Sequence, residues 1–335
     1  MKSEKLLIVG YPSSEHVGSH FYHAARTLGI EASIYDANMA WEGPRWLAGA
    51  YWYLAHHRPV RLRQYEKGLV EQCAKLGVTV VISTGIAPVT ERALLELKRA
   101  GIPVFNYLTD DPWNRQHFAP WFLKALPYYE RVFSPRRANL EDLRRSGAKG
   151  VSFLPFAYHP ELHALSPQER EENGTSPDVV FVGGADKDRV PYMAALAKAG
   201  FRLQLYGGYW DQYSETRRYA SGMLAPGAVK TAIAQAKVAV CLVRRANRDG
   251  HCMRTFEIPA MSGCMLAEDT EEHREIFGTE GEAVLYFRDI GEMLEKTRWL
   301  VDHPQERRRL AVAAHDLITR GGHTYGDRLL QMLRQ

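Results

Sequence analysis

Asp178-Val-Val-Phe-Val-Gly-Gly184 is a short apolar run that ends on two glycines. Consecutive apolar residues with no polar alternation read as a strand buried on both faces, as in a parallel sheet. This strand restarts an alternation that the chain has already run through once. Before it, Lys5–Gly10, Glu31–Tyr35, Thr79–Ser83, Pro103–Leu108, Arg131–Ser134 and Val151–Leu154 read as strands, with helices near Ser19–Leu28, Glu66–Leu76 and Val89–Ala100. After it come strands at Arg202–Tyr206, Val238–Val243, Cys264–Ala267 and Ala283–Phe287. Helices at Pro191–Ala199, Val229–Gln235, Arg254–Met261 and Ile290–Asp302 separate these, and Pro304–Gln335 is helical with a break at Gly321-Gly322. Strands alternating with helices imply βαβ units and a doubly wound α/β fold. The stretch Ser166–Pro177, rich in Glu, Ser, Asn and Gly, reads as the linker between two such series.

A length of 335 residues suits two domains. Residues 1–160 are expected to form the first and 175–318 the second, with 319–335 a closing helix. Apolar residues are 45% and charged residues 24%, which excludes a disordered chain. No apolar run approaches the roughly 18–20 residues that span a bilayer, so no transmembrane segment is expected. Leu6-Leu7-Ile8-Val9 is too short for a signal-peptide core, and the start reads as the first strand of a cytoplasmic protein. Cys73, Cys241, Cys252 and Cys264 have no metal-ligand spacing and are too sparse for a disulfide framework, so they read as reduced, mostly buried thiols. A net charge of +4 suits an anionic small molecule, and the absence of a dense Lys/Arg block gives no reason to expect nucleic acid. The aromatic stretch Trp41–His57 reads as core packing, with the lining of an acceptor pocket as the alternative.

Two Rossmann-like domains would face each other across a cleft, and ligands bind outside the carboxyl ends of parallel strands. Several residues fall at such ends. Gly183 and Gly184 let backbone approach a phosphate, and Lys187 and Arg189 follow as cations; of the two, Arg189 is favoured because it stands nearer the next helix. Arg244 and Arg245 follow the strand at 238–243, placed either on phosphate or in solvent. Arg254 and Glu257 stand three apart on one helix face, either as an ion pair or as ligands of phosphate and ribose. Thr109-Asp110-Asp111-Pro112 closes another strand. One carboxylate there suits a general base, with Asp110 the candidate, and the other a helix cap. Gly10-Tyr-Pro-Ser-Ser-Glu-His-Val-Gly18 lacks the Gly-x-Gly-x-x-Gly spacing of a dinucleotide site.

Arg254, Phe256, Glu257, Ala260 and Gly263, followed by Glu268 and Glu275-Ile-Phe-Gly, resemble the C-terminal domain of CgeB-like glycosyltransferases, relatives of the Glu-x7-Glu enzymes of the GT-B class. The resemblance runs over roughly 178–330 and is thin before that. It implies that Glu257 binds the nucleotide ribose. It also implies that Asp249, standing where the motif has its first Glu, lies near the donor sugar or phosphates; a plain turn at Arg248-Asp249-Gly250 is the other reading. It implies further that Arg189 meets the diphosphate, that Tyr209 and Met223 lie beside the base, that His16 and Gly18 lie near the donor and acceptor, and that the closing helix returns to the first domain. The activity so implied is transfer of a sugar from a nucleotide sugar to an unidentified acceptor, with no cofactor and no metal. Alternatives are a sugar-nucleotide epimerase or hydrolase, or a degenerate nucleotide-binding module.

Overall fold

Buried apolar runs force the architecture. Leu6, Leu7, Ile8 and Val9 are almost fully buried, as are Val179, Val180 and Phe181, and only a sheet covered on both faces hides such runs. The computed structural model describes residues 4–167 and 176–334, so most of the Ser166–Pro177 stretch lies outside the described residues. The chain divides into two units. The first comprises Met1–Pro155, Ala246–Arg248 and Tyr325–Gln335, and the second Phe156–Arg245 and Asp249–Thr324.

In the first unit the order is β1 (Lys5–Gly10), α1 (Val17–Thr27), β2 (Glu31–Asp36), α2 (Arg45–Leu54), α3 (Leu62–Leu76), β3 (Val80–Thr84), α4 (Glu91–Arg99), β4 (Val104–Tyr107), α5 (Pro120–Leu123), β5 (Arg131–Ser134), α6 (Ala138–Arg145) and β6 (Val151–Phe153). The second unit contains α7 (Pro160–His163), β7 (Val179–Val182), α8 (Val190–Lys198), β8 (Leu203–Tyr206), α9 (Pro226–Gln235), β9 (Val238–Cys241), α10 (Met253–Ala260), β10 (Met265–Glu268), α11 (Glu271–Phe277), β11 (Leu285–Phe287), α12 (Ile290–Asp302) and α13 (Pro304–Arg320). The last helix, α14 (Tyr325–Leu333), belongs to the first unit.

Both sheets are parallel throughout, ordered β2-β1-β3-β4-β5-β6 and β11-β10-β9-β7-β8. Read from β7, the second repeats the strand order of the first. Each therefore reverses direction once, between β1 and β3 and between β7 and β9. Such a reversal splays the connecting loops apart at the strands' carboxyl ends and opens a crevice there. The first crevice is closely built: a Cβ on Gly10 would stand 2.5 Å from Thr84 Oγ1, and one on Gly18 would stand 3.1 Å from Gly10 Cα. No side chain fits between the end of β1 and the start of α1.

α14 completes the first unit. The Tyr325 ring stacks on His20 at 4.8 Å and meets Phe21 edge-on. Buried Arg328 donates from Nε to Pro155 O (3.0 Å), which also accepts from Tyr107 Oη (3.1 Å). Of the Trp41–His57 stretch, Trp41 packs against the core and its ring meets that of Trp52. No α2 residue is fully buried: α1, α3 and α4 already cover the sheet faces, and Trp46, Tyr53 and Leu54 are left exposed.

Asp111 is the polar hub of the first unit. Almost fully buried, it accepts from Trp113 N (3.0 Å), Asn139 Nδ2 (3.0 Å) and Arg248 Nε (2.6 Å) and Nη2 (3.2 Å). Arg248 also meets Asp142 at 2.8 Å. Removing the carboxylate leaves the buried Asn139 amide and Trp113 N without this acceptor and takes from Arg248 the buried half of its ion pairing. Asp111→Ala is expected to lower unfolding free energy by roughly 2–4 kcal/mol, whereas Asp110→Ala, at a more exposed site, should change it by under about 0.5 kcal/mol. Urea titration of the two variants against the parent checks this.

Candidate functional site

The second crevice is built from backbone. At its β7 side, Gly183 N donates to Tyr206 O (2.8 Å), Gly183 O accepts from Trp210 Nε1 (2.8 Å), and Ala185 N donates to Gly208 O (2.9 Å). A Cβ on Gly207 would lie 2.4 Å from Gly183 O, and its φ of +125° already demands glycine. The two glycine pairs of the sequence are thus neighbours, leaving a bare floor at the end of β7 and β8.

Arg189 lies across the crevice. It is buried, donating from Nη1 to Gly184 O (3.2 Å) and from Nη2 to Leu242 O (3.4 Å), so that it bridges the loops after β7 and β9. Asp186 holds its backbone amide (2.9 Å). These bonds engage the residue favoured as a phosphate ligand with the protein's own carbonyls. Arg244, three residues beyond β9, is half-buried and makes no side-chain hydrogen bond or ion pair among the described residues. Arg245 is held by Glu268 (3.1 Å) and Tyr192 Oη (3.0 Å), and Glu268 also accepts from Val243 N (3.1 Å).

α10 brings its first turn to the same strand end. Arg254 Nε donates to Val182 O, the last residue of β7 (3.2 Å), and the guanidinium pairs with Glu257. Glu257 is almost fully buried, with His163 Nε2 3.8 Å away. Asp249 is half-buried and donates its amide to Arg244 O (3.3 Å). Tyr209, 63% exposed, takes the left-handed φ of +73°, and Met223 is exposed as well. Beneath α10, His273 Nδ1 donates to Glu268 O (2.7 Å), which leaves Nε2 to accept from Thr255 Oγ1 (2.9 Å). Burial drives the His273 pKa down to about 4, so the ring is neutral.

In the first unit, His16 stands exposed at the start of α1 with its ring 5.0 Å from Tyr11. Gly18 is buried in the first turn of α1. Asp110 accepts from Thr109 Oγ1 (3.1 Å), and His117 Nε2 lies 4.0 Å away. Burial raises the Tyr11 phenol pKa, and the Asp110 charge adds to that rise, which places Tyr11 and Asp110 in one neighbourhood. His117, His163 and Arg248 were not singled out from sequence. The contacts of His163 with Glu257 and of Arg248 with Asp111 join residues far apart in the chain, and that of His117 with Asp110 depends on the loop between them, so no local spacing announces them.

Residues 189–334 match a family model described as glycosyl transferase-like. No curated protein matches the chain. Among solved structures, sucrose-phosphate synthase from Thermosynechococcus elongatus is similar at a TM-score of 0.70 and 13% identity, over 99% of this chain and 98% of that one. Anabaena HepE in complex with UDP and glucose is similar at 0.65 and 13% over the same shares. The T4 phage BGT in complex with UDP-glucose gives 0.60 and 13% over 98% of each chain. The fold is GT-B, with two Rossmann-like domains.

Two outcomes follow from this geometry. Arg189→Ala leaves two carbonyls without donors and should cost roughly 2–4 kcal/mol of stability. Arg244→Ala should leave the melting temperature within about 2 °C of the parent's, because Arg244 holds nothing in place. Differential scanning calorimetry separates the two. The second outcome concerns pH. His273 is neutral in the fold at a pKa of about 4 and near 6.5 when unfolded, so the unfolded chain takes up the extra proton between those values. Stability from this group is therefore full above pH 6.5 and falls by up to about 3 kcal/mol as pH drops to 4. His273→Gln should flatten that part of the stability profile, read by denaturant titration at each pH.

Proposed function

We propose that this chain transfers a sugar, of hexose type, from a nucleoside-diphosphate sugar held by the second unit to an acceptor hydroxyl presented to the first. The observation that carries the reading is the second crevice: a bare glycine floor, an uncommitted Arg244 beside it, and the first turn of α10 with Arg254 and Glu257 at the same strand end. Breaking the bond between the anomeric carbon and the diphosphate puts negative charge on the leaving phosphate. Arg244 and the α10 N-terminus supply positive potential there, so the reading needs no metal and no cofactor.

The remaining roles belong to the same reading. Glu257 accepts a ribose hydroxyl, sharing its carboxylate with Arg254. Gly183 and Gly184 admit the phosphates, and Arg189 holds the shape of that floor. Tyr209 offers an exposed ring for a base to stack on, and Asp249 lies toward the sugar. In the first unit, Asp110 takes the acceptor proton, with His16 and Gly18 beside the acceptor. Uridine is the base of choice for a first test, since the HepE and BGT structures hold UDP or UDP-glucose. The likeness of Arg254–Gly263 to CgeB-like enzymes supports a narrower class, and a sequence with four sparse cysteines accords with a cytoplasmic setting.

Isothermal titration with UDP tests the donor site. The parent should bind UDP, and Glu257→Gln, which loses a charge-assisted bond worth roughly 1.5–3 kcal/mol, should bind it about tenfold or more weakly. Arg244→Ala should weaken UDP more than uridine. Unchanged UDP affinity in folded Glu257→Gln overturns the ribose assignment. Brisk breakdown of UDP-glucose with no acceptor present would instead favour a hydrolase or epimerase.

A further inference from the structure

Helix α2 is built inside out. Trp46, Gly49, Ala50, Tyr53 and Leu54 recur at the i, i+3, i+4, i+7, i+8 spacing of a single helical face. In a water-facing helix such a stripe turns inward to the core. Here Trp46 is 74% exposed, Tyr53 82% and Leu54 83%. The stripe thus faces solvent, with no charge on the helix after Arg45. Just beyond the helix, partly exposed Phe118 sets its ring against His56, and its carbonyl lies 3.1 Å from His57 Nδ1. Singly scattered apolar residues on a surface need no explanation, but a contiguous aromatic face does.

The charges along this part of the chain are predominantly positive. Between Arg45 and Gln64 the chain has four arginines and no acidic residue. Arg61 is neutralised by Glu42 at 3.0 Å. Arg45, Arg58 and Arg63 are exposed and have no ion-pair partner among the described residues. Tryptophan and tyrosine are the side chains that favour the headgroup level of a bilayer, with an apolar body and a polar edge. Arginines reach past such a level to lipid phosphates. The helix has 10 residues, about 15 Å, half of what spans a bilayer, so it would lie in the interface plane. A second copy fits less well, because a two-fold contact through this face sets Arg45, Arg58 and Arg63 against their own copies, while the acid at hand, Glu42, is engaged by Arg61.

We propose that α2 docks the first unit on a membrane surface bearing anionic headgroups, its Trp46–Tyr53–Leu54 face in the acyl boundary and Arg45, Arg58 and Arg63 on the lipid phosphates. The docking does not depend on the donor chemistry. Flotation with vesicles of phosphatidylglycerol and phosphatidylcholine, compared with phosphatidylcholine alone, tests it. The full chain should float with the anionic vesicles, and less so as salt rises. The triple variant Trp46→Ser, Tyr53→Ser, Leu54→Ser should bind at least about tenfold more weakly, with circular dichroism and melting unchanged. Arg45→Glu, Arg58→Glu and Arg63→Glu together should remove the preference for anionic lipid. Failure of the parent to float, or flotation of the triple variant equal to the parent's, overturns the proposal. So does a parent dimer in sedimentation velocity that the triple variant dissociates, which would assign the face to a second copy.

Discussion

One guanidinium holds the second crevice in shape. Where strand order reverses, the loops after β7 and β9 diverge, and their carbonyls have no ladder partner. Arg189 meets this by donating to Gly184 O and Leu242 O at once. A planar fork with several donors on one rigid plane suits a task that a lysine would perform with a single point charge. The arrangement depends on what surrounds it. Asp186 fixes the backbone of Arg189, and Phe181 lies under its guanidinium at 5.6 Å. The backbone bonds of the glycine floor and the start of α8 flank this bridge, and Arg244 projects two residues beyond the carbonyl that it holds.

Much of the fold was legible in the sequence because parallel strands carry a strong signal. The runs at β1, β5 and β7 are short, apolar and bounded by glycine, serine or charge, and they are strands within a residue of their expected ends. Helices with an apolar stripe and a glycine stop were legible too. α6 and α11 were not: Ala-Asn-Leu-Glu-Asp-Leu-Arg-Arg and Glu-Glu-His-Arg-Glu-Ile-Phe are too polar to show a stripe, and their turns are set by neighbours and by the Thr270 cap. α2 misled for the opposite reason. Its apolar content suggests a core, and composition says nothing of the direction in which a stripe points.

The candidate site was legible as a set of strand ends and less so as a set of roles. Gly183, Gly184, Arg254 and Glu257 come together as neighbours because all of them sit at or against the end of β7. The sequence could not distribute the arginines among tasks. Arg189 and Arg244 look alike as cations after a strand, and only the positions of distant carbonyls make one a strut and leave the other uncommitted. The acid pair after β4 divides in the same way. Asp111 is engaged by partners 28 and 137 residues away, whereas Asp110 keeps a local bond to Thr109.

The first unit is discontinuous in the chain, since α14 closes it after the whole of the second unit has gone by. During synthesis the sheet that begins with β1 therefore lacks, until the last described helix leaves the ribosome, the Tyr325 ring against His20 and Phe21 and the Arg328 donor to Pro155 O. Completion of the first unit is thus a late event in synthesis, later than the point at which the second unit, continuous but for three residues, is whole. A chain cut after Thr324 would keep all of the second unit's sequence and leave the first without its closing helix.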